Sequence, residues 1–252
     1  MAGRGDVRAK WVNAMFADPE VDAIFCVKGG SSGSRQMEFL DLETIKNNPK
    51  IFVGYSDVTS LHIVLNQVCG LVTFHGPMVS SNMVDEFDEE TKSSFFHALN
   101  ADEPYTFKNP AKDEISVIRD GSARGILTGG CLSLLSASIG TPYEIDTRGK
   151  ILLIEDVTEA VYRLDRYASH LRSSGKFRDC AGILLGPFVD CPNEHDSSFT
   201  ALDCFKDILS DANVPVLCNV QSGHAFPMMT VPFGAECSID TASKTIRFYP
   251  ER

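Results

Sequence analysis

Short apolar runs alternate with helix-like segments along the first part of the chain. Each run is apolar on both faces and ends at glycine or a polar residue, which predicts strands buried in a parallel sheet. These strands are expected at 23–27, 51–53 and 71–74. Apolar residues at helical spacing predict helices over 6–16, 33–47 and 58–69. Strands and helices that alternate with short connections indicate a doubly wound α/β sheet.

The pattern changes near residue 100. An acidic stretch at 85–94 leads into a helix expected to end near Leu99, and the polar, proline-containing stretch 101–124 predicts a linker. Later apolar runs predict strands at 126–130, 151–154, 182–185 and 214–217 and a hairpin at 238–249. Two helices are predicted at 160–171 and 199–209, so this part of the chain reads as a mixed α/β domain. We therefore expect an N-terminal doubly wound domain over 1–100 and a mixed C-terminal domain over 125–252.

Composition narrows the class of protein. The net charge of −11 argues against a nucleic-acid partner, because affinity for phosphate backbones comes largely from clustered Lys and Arg. No apolar run approaches the ~20 residues of a membrane span, and the N-terminus lacks a signal-peptide core, so a cytoplasmic location without membrane contact is expected. The eight cysteines form no CxxC pair, which favours buried thiols over a metal site.

A serine stands where the second predicted strand turns into a helix. In the stretch IFVGYSDVTS, Ser56 follows the strand by two residues and precedes helical sequence. A nucleophile elbow has this layout, because the turn lifts the hydroxyl above the carboxyl end of the sheet. A serine at this position can also cap the helix with its side chain. The segment by itself favours the cap, since Val58 replaces the last glycine of the GxSxG pattern.

A serine nucleophile needs a base and an acid that orients the base. Of the six histidines, His224 lies in the loop SGHAFP after an apolar run, and His75 follows a strand and reads equally well as a buried imidazole. Glu155 ends the buried strand ILLI, whereas Asp156 and Glu159 could cap the next helix. The chain order serine, acid, histidine matches that of α/β-hydrolases.

The first predicted strand is followed by a glycine- and serine-rich loop, KGGSSGSR, at 28–35. It matches neither dinucleotide nor P-loop patterns, so a phosphate cradle, a flexible turn and part of an oxyanion hole all stay open. Hydrolysis by a cysteine, Cys26 or Cys131, is a weaker alternative because neither has an adjacent base in the sequence.

Together these stretches resemble the LD-carboxypeptidase family of serine peptidases, which includes muramoyl-tetrapeptide carboxypeptidases and microcin C immunity peptidases. The similarity runs from about residue 13 to 239, through FADPEVDAIFCVKGGSSGSRQMEFLD, NPKIFVGYSDVTSLH, GLVTFHGPM, ILLIEDVTEAVYRLDRYASHL and SGHAFPMMTVPFGAE. The resemblance implies Ser56 as nucleophile, Glu155 as acid and His224 as base. It also implies oxyanion amides at Gly30 and Asp57, a homodimer, and no cofactor or metal.

The resemblance implies hydrolysis of an amide bond between an L-centre and a terminal D-amino acid in a murein-type peptide. Gly29 and Arg35 are candidate substrate-binding residues by position, with Arg35 as the cation for the terminal carboxylate. A surface salt bridge is at least as consistent with Arg35. The family usually has a strand, a helix and a strand before ADPEVDAI, and an aromatic residue within 31–34 in murein-cutting members. Both departures keep two alternatives open: a peptidyl-nucleotide substrate, and a non-catalytic α/β module that binds an anion.

Overall fold

The computed structural model describes residues 3–84 and 87–250, and within them the chain forms two β-sheets flanked by helices. The smaller sheet has the strand order β1 (Ala23–Phe25), β2 (Ile51–Gly54), β3 (Thr73–His75) and β10 (Val231–Phe233). The first three strands are parallel, and β10 pairs antiparallel with β3. The predicted α/β class is therefore confirmed, and the smaller sheet also takes a strand from the second half of the chain.

The helices of the first half follow the predicted order with one interruption. They are α1 (Gly5–Ala17), a 3-10 helix at Gly33–Phe39, α2 (Leu42–Asn47), a short 3-10 turn at Ser56–Val58, and α3 (Thr59–Gln67). The single helix expected over 33–47 is wrong. Asp41 interrupts it, because its carboxylate accepts a hydrogen bond from the Thr44 amide at 3.1 Å and caps a new helix.

A π-helical turn at Val79–Met83 and helix α4 (Glu89–Asn100) complete this half. The Asp88 carboxylate accepts from the Glu90 and Thr91 amides and fixes the start of α4. Residues 85 and 86 of the acidic stretch lie outside the described part of the chain. The end of α4 agrees with the expected end near Leu99.

The larger sheet among the described residues has the order β4-β12-β11-β6-β7-β8-β9-β5. Its strands are β4 (Tyr105–Thr106), β5 (Ser116–Arg119), β6 (Ser122–Cys131), β7 (Ile151–Val157), β8 (Gly182–Val189), β9 (Val216–Cys218), β11 (Glu236–Asp240) and β12 (Thr245–Tyr249). Strands β6 to β9 are parallel, and the outer strands pair antiparallel. The expected hairpin is formed by β11 and β12.

The segment 101–124, expected to be a linker, carries β4, β5 and the start of β6. Its polar composition conceals these strands, because residues of β5 and early β6 are exposed or half-buried. Pairing with distant strands stabilises them, as Val117 of β5 opposite Leu217 of β9 illustrates. The domain boundaries at residues 100 and 125 stay a prediction.

Strand β7 lies in the middle of the larger sheet and is buried from Ile151 to Asp156. On one face, Leu152 and Ile154 belong to a core with helices α5 (Leu132–Ser138), α6 (Val161–Ser173), α7 (Lys176–Asp179) and α8 (Ala201–Ile208). On the other face, Ile151 and Leu153 pack with residues of β10, β11 and β12. Burial on both faces explains why this strand reads as one continuous apolar run.

All eight cysteines are free, and six of them are buried. This agrees with their expected use as small apolar side chains. Among the residues that the structure describes, no helix is both long and apolar enough to cross a membrane.

Candidate functional site

The carboxyl ends of strands from both sheets meet at a cavity of about 330 Å³, which we call the Ser56 cavity. Its lining includes Lys28, Gly29 and Gly30 from the loop after β1, Ser56 from the turn after β2, and His224 from the loop after β9. Ligands of α/β sheets bind at such strand ends, because loops from separate strands converge there. The structure thus brings together residues that are up to 196 positions apart, from Lys28 to His224 (224 − 28).

Ser56 occupies a strained turn. Its φ of +63° lies in the left-handed region, which non-glycine residues rarely adopt and which costs about 1–3 kcal/mol. Within the described residues its hydroxyl makes no hydrogen bond, so it does not cap the helix that follows. Nor does it bond His224; before substrate binds, the contact between a nucleophile and its base is often long. A free hydroxyl on a strained strand-to-helix turn is the geometry of a nucleophile elbow.

The glycine-rich loop lies directly against this turn. A Cβ added at Gly29 would lie 2.9 Å from the Ser56 Oγ, and one added at Gly30 would lie 3.2 Å from an Asp57 carboxylate oxygen. The missing side chains therefore allow the loop backbone to approach the serine closely. This proximity is what amides of an oxyanion hole require.

The Asp57 carboxylate holds the loop in place, a role that the sequence interpretation missed when it assigned only the backbone amide. The side chain is buried and accepts hydrogen bonds from the Ser32 amide at 3.0 Å and the Gly33 amide at 2.8 Å. From the opposite side, Arg8 of α1 donates to the Ser32 carbonyl and hydroxyl oxygens. The sequence contained one signal for this role: an acidic residue directly after the candidate nucleophile, with a glycine- and serine-rich loop upstream.

Asparagine at position 57 is expected to lower kcat by about 10²-fold, with a small change in KM, since small misplacements of catalytic groups have effects of this size. The amide nitrogen of Asp57→Asn would face the N–H groups of the loop as a second donor, so the loop would shift away from the serine. Steady-state kinetics on a peptide substrate would measure this. Asp41→Asn, which alters an exposed helix cap, is the matched control. Equal kinetics for the two variants would contradict this role.

His224 and Glu155 form the second half of the site. The His224 Nδ1 lies 2.6 Å from the Glu155 Oε2, and the His224 backbone amide donates to the same oxygen at 3.1 Å. Gly223, at a φ of +118°, allows this contact, because a Cβ there would come within 2.5 Å of the Glu155 Cγ. Glu155 is completely buried and His224 keeps 15% of its side chain exposed. The pair therefore presents one imidazole edge to the cavity, held by a dry carboxylate.

The electrostatics of His224 suit a base that works near neutral pH. Burial disfavours its charged form, but the hydrogen bond and charge of Glu155, with a contribution from Asp156, outweigh burial and raise the pKa of His224 above 6.5. The ring also packs edge-on against Tyr55, with centroids 4.9 Å apart. A general base is most effective when its pKa lies near the operating pH.

The carboxylates after Glu155 have other partners. Asp156 accepts from the Ser133 amide at 2.8 Å, so it bonds the start of α5 and does not cap the helix after its own strand. Glu159 forms an ion pair with Arg163, one turn along α6.

The structure argues against a role for Arg35 and the two candidate cysteines in this chemistry. Arg35 is exposed on the 3-10 helix at Gly33–Phe39 and is not among the described residues lining the Ser56 cavity. Burial raises the pKa of Cys26 to about 12 and raises that of Cys131 still further, where nearby Glu155 and Asp156 add to the effect. Both thiols are therefore protonated at neutral pH, which disfavours a cysteine nucleophile.

A larger cavity of about 670 Å³ adjoins the first and shares Tyr55, Ser81 and His224 with it. Its other lining residues include the amides Asn82, Asn219 and Gln221 and the aromatic side chains Phe188 and Phe226. We call it the amide-lined cavity. Amide side chains both donate and accept hydrogen bonds, so this surface suits a polar, uncharged part of a substrate such as a peptide backbone.

Comparisons with known proteins agree with this architecture. The model of the LD-carboxypeptidase N-terminal domain matches residues 1–76, and that of the LD-carboxypeptidase C-terminal domain matches residues 124–239. A probable murein peptide carboxypeptidase of Bacillus subtilis is 40% identical over 97% of this chain and 77% of its own length.

Two solved structures are similar over nearly the whole chain. MccF in complex with glutamyl sulfamoyl guanosine superposes with a TM-score of 0.89 at 26% identity, covering 99% of this chain and 82% of its own. The muramoyltetrapeptide carboxypeptidase of Oxalobacter formigenes superposes with a TM-score of 0.87 at 25% identity, covering 99% of this chain and 87% of its own.

Proposed function

The chain belongs to the LD-carboxypeptidase family of hydrolases, and from that premise we propose that it cleaves murein-type peptides with a Ser56–His224–Glu155 triad. The bond cleaved is the amide between an L-centre and a terminal D-amino acid. The observation that supports this proposal most strongly is the hydrogen bond between His224 and the buried Glu155, beside a cavity that also contains the strained Ser56. A cytoplasmic location and a homodimer stay predictions.

In the proposed reaction, the Ser56 Oγ attacks the scissile carbonyl carbon while the His224 Nε2 takes its proton. Glu155 accepts from the His224 Nδ1, which keeps the Nε2 lone pair toward the serine and stabilises the imidazolium. The backbone amides of Gly30 and Asp57 stabilise the oxyanion. His224 then gives its proton to the leaving amine, and the D-amino acid departs. In the second half, His224 takes a proton from a water that attacks the acyl carbon, and it returns that proton to the Ser56 Oγ as the ester bond breaks.

A carboxypeptidase must also bind the terminal carboxylate of its substrate, and we propose Lys28 for this task. Lys28 lines the Ser56 cavity, beside the glycine that touches the serine. Within residues 3–84 and 87–250 its ammonium group makes no ion pair. The scissile bond is only one residue from the carboxylate, so the cation must lie close to the nucleophile. Lys28 lines the cavity that contains Ser56, whereas Arg35 is not among its described lining residues.

Methionine at position 28 is expected to raise KM by about tenfold to a hundredfold with a smaller change in kcat, since a hydrogen bond to a charged group contributes about 1.5–3 kcal/mol. The stem of the side chain is kept in Lys28→Met, so packing changes little. Kinetics on a peptide with a free terminal carboxylate and on its C-terminal amide would measure the effect. The amide should show the same KM in wild type and variant.

Arg35→Met is the matched control for this variant, because both replace an exposed cation near the same loop. A larger effect of Arg35→Met than of Lys28→Met would assign the carboxylate to Arg35 and contradict the choice of Lys28.

A second candidate substrate is an aminoacyl or peptidyl nucleotide. Phe188 and Phe226 in the amide-lined cavity could stack on a base, and the cavity volume of about 670 Å³ accommodates a nucleoside. The similar MccF structure is in complex with glutamyl sulfamoyl guanosine. In this case the same triad would cleave an amide next to a nucleotide in place of a terminal D-amino acid.

One experiment separates these functions. The protein is incubated with a murein tetrapeptide ending in D-alanine, with its diastereomer ending in L-alanine, and with an aminoacyl sulfamoyl nucleoside. Release of D-alanine from the first substrate alone is the expected result. Cleavage of the nucleoside alone would assign the second candidate. A folded protein that cleaves none and takes up no fluorophosphonate label would be a binding module, and the proposed hydrolase would be wrong.

A further inference from the structure

A second histidine lies on the far side of the proposed acid. His75 ends β3 and is completely buried, as is Glu155. Its Nε2 faces the Glu155 Oε1 at 3.8 Å, and neither atom has a hydrogen-bond partner among the described residues. The other carboxylate oxygen, Oε2, already accepts from the ring and backbone nitrogens of His224. A buried polar atom without a hydrogen-bond partner destabilises the folded state, so two such atoms that face each other are expected to share a proton.

The position of that proton follows from the neighbours of His75. Its Nδ1 lies 3.2 Å from the Ser222 Oγ, which can donate a hydrogen bond to it. If Nδ1 accepts, the ring proton is on Nε2 and points at the carboxylate. The opposite tautomer would place an Nε2 lone pair against a carboxylate lone pair. Burial favours a neutral ring, and it lowers the pKa of His75 well below 6.5.

We propose that His75 is a positioning residue for the acid of the triad: as the neutral Nε2–H tautomer, it donates to the Glu155 Oε1 and keeps the buried carboxylate oriented toward His224. The inference rests on the proposed function of the Ser56–His224–Glu155 site. The separation of 3.8 Å is longer than a hydrogen bond, so the proposal requires this contact to shorten in the reacting complex, as catalytic hydrogen bonds do.

In the described part of the chain, few ionisable groups surround His75 and Glu155. Tyr55, after β2, and His62, on α3, have ring centroids 6.1 and 6.2 Å from that of His75. His62 is held neutral, because burial lowers its pKa to about 4, and its Nε2 bonds the Gly54 carbonyl oxygen. From β10 the contact is Phe233, which does not titrate. Over residues 3–84 and 87–250, the other ionisable groups beside the carboxylate are His224 in the loop after β9, Asp156 on β7 and Cys131 at the end of β6.

A matched pair of variants isolates the donor. Gln in His75→Gln can place an N–H near the position of Nε2, whereas Met in His75→Met has the same length and no donor. Without that donor the carboxylate acts more strongly on the imidazole, so the pKa of His224 rises further and the ring takes up its proton at higher pH. We expect the acid limb of kcat/KM to move up by about one pH unit in His75→Met, with an about tenfold lower plateau, and to stay near wild type in His75→Gln. Equal profiles for the two variants would overturn the inference.

A measurement on the wild-type protein does not depend on turnover or on the folding of any variant. Long-range ¹H–¹⁵N NMR of ¹⁵N-histidine-labelled protein reports the tautomer of each ring. His75 should carry its proton on Nε2 and not titrate between about pH 5 and 8, where His224 does. A proton on Nδ1, or a charged His75 in this range, would overturn the inference. Absence of hydrolysis with every substrate would instead overturn the proposed function, while this spectrum would still decide the role of His75.

Discussion

Ser56→Ala is expected to abolish hydrolysis, lowering kcat by about 10⁶-fold, the order found when a serine nucleophile is removed from a triad. The loss follows from the proposed mechanism, because no acyl-enzyme forms without the Oγ. The free energy of unfolding should change little. Serine and alanine both pay a steric cost at a φ of +63°, and the hydroxyl makes no hydrogen bond within the described residues. Release of the terminal amino acid would be followed by chromatography, and the fold by circular dichroism.

Fluorophosphonate labelling makes this test specific to one side chain. Wild-type protein should carry a single label at Ser56, identified by mass spectrometry of its peptides, and Ser56→Ala should carry none. Ser81→Ala is the matched control, because Ser81 lines the same cavity without a proposed catalytic role. Turnover that survives in Ser56→Ala, or a label at Ser81, would refute the nucleophile assignment.

Glu155→Gln is expected to lower kcat by about 10⁴-fold, the order found when the acid of a serine triad is replaced by its amide. The Glu155 Oε2 accepts two hydrogen bonds from His224, one from the ring and one from the backbone. An amide nitrogen in its place would turn the Nδ1 into an acceptor, so that Nε2 would carry the proton and could not take one from Ser56. If the amide oxygen stays in place, its nitrogen faces the Nε2 of His75 as a second donor.

The same variant should change the pH dependence. Glu155 is the main group that raises the pKa of His224 above 6.5, so the acid limb of the residual activity should move to lower pH in Glu155→Gln. The pH dependence of the free energy of unfolding should change in the same direction. A raised folded-state pKa adds stability that is fully present below pH 6.5 and is lost as pH rises through the folded pKa. The variant should therefore lose more unfolding free energy at acidic than at alkaline pH.

Glu159→Gln is the control for both effects, since it removes a carboxylate that pairs with Arg163 four residues along α6. It should leave kcat and the acid limb unchanged. Urea unfolding at two pH values and pH–rate profiles would give the comparison. A Glu155→Gln enzyme with near-wild-type kcat would show that this carboxylate does not orient the base.

Several elements could be predicted because their signals are local. Residues 51–54 and 151–157 form strands in the structure, and both read as apolar runs because each is buried on two faces. The position of Ser56 between a strand and a helix is equally local. The fold class and the family followed from such segments and are confirmed by the comparisons.

Other features depend on contacts across the sequence, and the pattern of the chain contained no strong signal for them. The strands inside 101–124 are short, half-exposed and polar. They form because strands more than 90 residues away supply their hydrogen-bond partners, as in the pairing of Ser116 with Cys218. The contact between the Asp57 carboxylate and the Gly33 amide also depends on how the loop after β1 folds back.

The sequence by itself determined several of the buried strands and helices, that the protein is α/β, and which serine stands at a strand-to-helix turn. These properties follow from periodicity and from the conformational preferences of neighbouring residues. Only the tertiary structure decided that Lys28 lines the Ser56 cavity, that Asp57 secures the glycine loop, and that His75 faces the second oxygen of Glu155. The physical reason is that distances between side chains are set by strand register and sheet pairing, which join residues that the chain order keeps far apart.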